Sequence, residues 1–113
     1  MACCVPNASS APVVCRSAWS AARRLRGIFL EHHGLPISSP EYNSSVSGAF
    51  KNVIDWVSRP AQGVPNIGAF KGKVAGIMSV SPGAVGGLRG LGHSRAILVE
   101  MGGLGVPGQT ARR

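Results

Sequence analysis

Long apolar runs are missing from this sequence. Gly, Pro or Arg interrupts each apolar stretch within a few positions, well short of the roughly 18 to 20 residues a membrane-spanning helix needs. A membrane-spanning helix is therefore excluded. Cysteine is sparse, and Cys3, Cys4 and Cys15 all fall near the start of the chain. An odd count outside the expected core argues against a disulfide framework. Zinc fares no better, because adjacent Cys3 and Cys4 lack the C-x2-C spacing and neighbouring His32 and His33 point different ways on a helix or a strand. A secretory signal fits poorly, since Asn7, Ser9, Ser10 and Pro12 break up any apolar h-region. The Asn7-Ala8-Ser9 sequon then has no secretory context. Aromatic residues are only 5% of the chain, while Gly and Pro number 16 and 8. A single small domain with a thin core and marginal stability follows.

Acid is scarce: four Asp and Glu stand against twelve Lys and Arg, a net charge of +8. That excess suggests a polyanion partner, but its distribution argues otherwise. Arg16, Arg23, Arg24 and Arg26 precede the first acid, Glu31, and Arg112 and Arg113 end the chain. Between residues 27 and 111, six cations meet four acids, leaving +2. Solvated tails are favoured over a nucleic-acid arm, and nucleic acid is a disfavoured partner. Residues 1–26, rich in Ala, Ser and Arg and free of acid, read either as an organellar transit peptide or as an extension without a role. The expected organisation is a basic segment 1–26, a domain 27–106 and a basic tail 107–113.

The apolar residues Ala18, Ala21, Ala22, Leu25, Ile28 and Phe29 recur at helical spacing, predicting an amphipathic helix over 17–31. Residues 35–39 read as a short strand, which Pro36 keeps from being central because it removes a ladder donor. Ser47 can cap a helix reaching residue 58, with Val46, Phe50, Val53, Ile54 and Val57 as its stripe and Pro60 as its stop. Residues 61–72 are a loop by composition. Residues 73–81 form a nearly continuous apolar run, as in a strand covered on both faces by helices. A helix from 87 or 88 to 101 follows, stopped by Gly102 and Gly103. Residues 104–106 begin another strand. Alternating strand and helix predict an α/β protein with a parallel sheet.

Ligands of open parallel sheets bind beyond the carboxyl ends of the strands. Two turn-rich segments should lie there, 39–47 and 81–87, each leading into a helix. The first carries P-E-Y-N-x-S (Pro40 to Ser45), followed by K-N-x-I-D-W (Lys51 to Trp56). About two dozen residues further on stands S-P-G-x-x-G-G-x-R (Ser81 to Arg89). In this order and spacing the motifs resemble the NADPH-dependent FMN reductase family of flavodoxin-like folds, which includes quinone and chromate reductases. The resemblance spans about residues 34–106.

It implies a three-layer flavodoxin-like α/β fold. It also implies an FMN cofactor reduced by NADPH, a quinone or similar small-molecule acceptor, a homo-oligomer, and a cytoplasmic or, given a transit peptide, organellar location. Pro40, Glu41, Tyr42, Asn43 and Ser45 would then form a turn around the flavin ring, with main-chain groups toward its pyrimidine edge. Ser81, Gly83, Gly86 and Gly87 would line its other side. Tyr42 is suited to cover the ring or substrate. Arg89 suits an NADPH phosphate or an acidic partner residue, and an interface contact is an equal alternative for both. No side chain need act as acid or base, because the flavin supplies the redox chemistry.

The family's opening strand and G-S-x-R-x-x-S phosphate loop are not recognisable before Ser39, so the fold is expected to be incomplete, a fragment in which binding that favours FMN would need some other group, such as Arg23, Arg24 or Arg26, in place of that loop. A non-catalytic, partner-binding remnant is the alternative function. Other motifs fail: G-A-F-K-G-K-V from Gly68 lacks the P-loop's spacing and its Ser or Thr. Gly87, Gly90 and Gly92 reverse the dinucleotide fingerprint. His93 has no G-x-S-x-G partner for hydrolase chemistry.

Overall fold

In a computed structural model of the chain, residues 13–108 and 110–112 are described, with side chains for 19–108, 111 and 112. Cys3, Cys4 and the 7–9 sequon lie outside them. Helix α1 spans Val13–Glu31, four residues longer at its start than expected, and it runs through residue 26, where a change of segment was expected. Strand β1 is Gly34–Ser38, helix α2 Gly48–Val57 and strand β4 Val74–Val80, while helix α3 covers Leu88–Glu100. Two short strands follow, β5 Leu104–Gly105 and β6 Thr110–Arg112. Between β1 and α2 stands a hairpin of β2, Glu41–Tyr42, and β3, Ser45–Val46.

The helix boundaries have local causes. Ser47 caps α2, its Oγ accepting the Phe50 N–H at 3.1 Å, as an N-cap serine should. Beyond α3, Gly102 takes φ 75°. Its N–H bonds Val99 O and the Gly103 N–H bonds Leu98 O, both at 2.9 Å. That pair of bonds is the Schellman stop, which needs a residue free to adopt a left-handed backbone.

The main sheet is wholly parallel. β4 pairs with β1 on one edge (Leu35 opposite Ala75, Ile37 opposite Ile77) and with β5 and β6 on the other. Val74 N bonds His33 O and Ser39 N bonds Met78 O, so the odd-numbered residues of β1 face β4. Even-numbered Pro36 therefore turns its donorless nitrogen away from β4, to the side of β1 that no strand pairs among the described residues. This is the edge placement its ring demands.

The core joins Leu35, Ile54, Val57, Phe70, Ala75, Ile77, Leu91 and Leu98, with Leu25 and Phe29 of α1 packed against it. All three helices contribute to this one cluster, and among the described residues β4 is covered on one face, where both were expected to be. Its residues alternate, with Ala75, Ile77 and Ser79 buried and Val74, Met78 and Val80 exposed. A continuous apolar run does not reveal which faces are covered; here Leu104 joins the exposed side. The 61–72 loop is less solvated than its composition suggests. Phe70 within it is 1% exposed and meets Phe29 edge-on at 5.4 Å, a contact suited to aromatic quadrupoles.

Arg26 is the other surprise. It is 3% exposed, and its guanidinium donates to Val57 O at 3.2 Å and Trp56 O at 3.3 Å, satisfying carbonyls at the end of α2. The Trp19 ring lies 5.5 Å away. Burial, with Arg23 adding repulsion, holds this guanidinium below the ordinary arginine range. Arg26 is committed to the fold and is not a spare cation for a phosphate. Arg23 and Arg24 are exposed.

Candidate flavin site at the carboxyl ends of the strands

Because β1 and β4 are adjacent and parallel, the segments leaving them emerge at the same end of the sheet. Ser79, buried near the end of β4, donates its Oγ proton to Ser39 O at 2.7 Å and so ties the two exits together. The two motif-bearing loops are neighbours.

The first loop is more ordered than its composition implies. Glu41 pairs with Val46 and Tyr42 with Ser45. Asn43 and Ser44 turn at φ 50° and 63°, the left-handed pair that a two-residue hairpin requires. Pro40, Tyr42, Asn43 and Ser44 are exposed, Tyr42 by 61%, while Glu41 and Ser45 are half-buried against α3. Glu41 Oε2 accepts the Gly90 N–H at 2.9 Å, placing a carboxylate at the positive end of the helix dipole. Ser45 Oγ and His93 Nδ1 are 2.8 Å apart. Arg89 is exposed and donates to Ser44 Oγ at 3.3 Å.

The second loop contains glycines of two kinds. Gly86 and Gly87 are buried, at φ 58° and 90°. A Cβ on Gly86 would stand 2.9 Å from Arg112 O, and one on Gly87 would stand 2.8 Å from Ser79 Cβ. Their free sides face the chain itself. Gly83 is exposed, and a Cβ there would meet nothing nearer than Ser81 Oγ at 3.5 Å. Its N–H bonds that same hydroxyl at 3.3 Å, while the Ser81 N–H is held by Arg112 O at 3.1 Å.

The side chains of Glu41, Ser45 and His93 act as braces, which sequence reasoning missed. The Glu41 contact joins residues 49 apart in sequence, and the His93 contact joins residues 48 apart, so no local pattern signals them. A groove of about 240 Å³ lies elsewhere, between α1 and α2, lined by Leu25, Asn52, Val53 and Trp56 among others. It is lined by no titratable side chain, and of the motif segments only the K-N-x-I-D-W stretch reaches it, through Asn52, Val53 and Trp56.

The fit to a flavin divides in two. Exposed main chain at the hairpin turn and at Gly83 suits the flat, polar-edged ring. The phosphate is less well served, because Ser47 caps α2 and Glu41 occupies the first turn of α3. At each helix start at this end of the sheet one first-turn N–H is thus already satisfied from within the chain, which reduces what is left for an anion.

A parallel α/β sheet whose strands run in sequence order, with its motif loops at the carboxyl ends, defines a flavodoxin-like domain. Residues 8–112 match the NADPH-dependent FMN reductase family, and the chain belongs to that family. It is 39% identical over 79 residues to an NAD(P)H-dependent FMN reductase of Pseudomonas aeruginosa, covering 70% of this chain and 40% of that protein. To a quinone reductase of Escherichia coli it is 46% identical over 67 residues, covering 58% and 32%. Among solved structures, the flavoenzyme NAD(P)H:(acceptor) oxidoreductase FerB of Paracoccus denitrificans superposes with a TM-score of 0.71 at 27% identity, covering 91% of this chain and 58% of that one. The chain thus spans well under half the length of these two curated relatives.

Proposed function

We propose that the chain works as a flavin-dependent NAD(P)H oxidoreductase with a quinone-type acceptor, holding FMN between the hairpin and the 81–87 loop. The observation that carries this reading is the adjacency of the two motif loops at the carboxyl ends of β1 and β4. The names of the relatives supply the chemistry. When bound, FMN supplies two-electron transfer from NAD(P)H to the acceptor. The protein's part is to bind, orient and leave one face accessible. In this reading Pro40, Glu41, Tyr42, Asn43 and Ser45 present main-chain groups to the ring's polar edge. Ser81 and Gly83 approach from the other side, with Gly86 and Gly87 fixing the path of their loop. Tyr42 is free to lie over the ring or the acceptor. Arg89 offers a cation to the extra phosphate of NADPH, which favours NADPH over NADH.

The test is NAD(P)H oxidation by the purified chain with 1,4-benzoquinone, with and without added FMN. FMN-dependent turnover supports the proposal, and its absence from a folded chain refutes it. A second reading, a non-catalytic partner-binding domain, is favoured by the exposed β4 face of Val74, Met78 and Val80. Turnover by the chain alone would refute that alternative. For the intact protein we place the reaction in the cytoplasm or an organelle and expect a homo-oligomer.

Among the described residues, no helix is long and apolar enough to cross a membrane.

A further inference from the structure

The hairpin carries half of the proposed flavin site, yet each of its strands is two residues long. So short a ladder does not hold itself in water. Its position must be set by what it touches, and α3 touches it three times. Glu41 reaches the Gly90 N–H at 2.9 Å, at the hairpin's beginning. Arg89 reaches Ser44 Oγ at 3.3 Å, through a long exposed side chain. His93 reaches Ser45 Oγ at 2.8 Å, and it is the one of the three that grips the returning strand. Gly90 permits this closeness, since a Cβ there would stand 3.3 Å from Glu41 Cβ and 3.4 Å from Ser45 O.

We propose that His93 is a positioning residue: its bond to Ser45 Oγ fixes the angle of the hairpin on α3, and thereby sets where the main chain of residues 42–45 stands in the flavin site. Its chemistry suits the task. A hydroxyl both donates and accepts, so Ser45 can pair with Nδ1 in either tautomer and also with the imidazolium. The bond does not require one protonation state. The consequence for flavin rests on the function proposed above, whereas the lock itself does not.

Hydrogen exchange on the full chain without flavin tests the lock. His93→Ala should raise amide exchange at residues 41–46 roughly three- to tenfold, the yield of one partly exposed hydrogen bond, and leave α2 and β4 unchanged. Ser45→Ala should do the same, and the double variant should add nothing further. His93→Asn, whose amide can stand near the place of Nδ1, should restore protection. Unchanged exchange at 41–46 in His93→Ala overturns the proposal. So does a rise spread over α2 and β4, which would mark a general stability role. Riboflavin fluorescence quenching run in parallel separates the two claims: failure of the wild-type chain to bind would sink the flavin reading while the exchange data still judge His93. If the wild type binds, an unchanged affinity in His93→Ala overturns the positioning role toward flavin.

Discussion

Replacing Gly87 with alanine tests whether that glycine serves the fold or a ligand. The added methyl would sit 2.8 Å from Ser79 Cβ, and Ser79 is 2% exposed with nowhere to retreat. Three penalties combine. A non-glycine residue held at φ 90° costs about 1 to 2 kcal/mol. Overpacking a filled site costs about 1 to 3 kcal/mol. Displacing Ser79 strains its 2.7 Å bond to Ser39 O, for about another 1 kcal/mol. The total, roughly 3 to 6 kcal/mol, is a large part of the 5 to 15 kcal/mol typical of a domain. With an m-value of about 1.5 kcal/mol/M, the urea midpoint should fall by roughly 2 to 4 M. A Gly87→Ala, Ser79→Gly double variant relieves the contact, so a double-mutant cycle should show a favourable coupling of about 1 to 3 kcal/mol. A midpoint within about 0.5 M of wild type would refute the reasoning and leave Gly87 without a packing role.

Gly83→Ala should behave in the opposite way: the free energy of urea unfolding stays within about 0.5 kcal/mol of wild type, because the added Cβ meets only ordinary contact, while riboflavin affinity in a quenching titration falls as the close approach is lost. Arg26→Met keeps the buried stem but strips the donors from Trp56 O and Val57 O, and should cost about 2 kcal/mol in urea unfolding. Glu41→Ala leaves Gly90 N–H without its acceptor and should cost about 1 kcal/mol; Glu41→Gln, which can still accept, should recover at least half of that in the same assay.

Legibility in the sequence followed periodicity and punctuation. Helix α2 was readable because Ser47, the apolar stripe and Pro60 all agreed, and the structure gives that cap its bond. Pro36 argued against a central strand, and among the described residues β1 pairs with β4 alone. The hairpin was not readable, since two-residue strands have no period and Ser44 adopts a left-handed conformation that its residue type does not advertise. Phe70 looked like part of a loop because Gly68 and Gly72 surround it, yet tertiary contact with Phe29 buries it. Arg26 read as one more tail cation because sequence shows charge and not the carbonyls awaiting it across 30 residues. In the candidate site, motif order located both loops. The braces holding them, Glu41 on Gly90 and His93 on Ser45, join distant residues and leave no local trace.

The most direct measurement of the central claim is a fluorescence-quenching titration of the purified chain with FMN and, separately, with riboflavin. Ring recognition by the two loops, with Ser47 and Glu41 already meeting one first-turn N–H of each nearby helix, predicts saturable quenching of both flavins at affinities within about threefold of each other, less than 1 kcal/mol apart. Absence of quenching by a chain shown to be folded would contradict the claim that these loops form a flavin site.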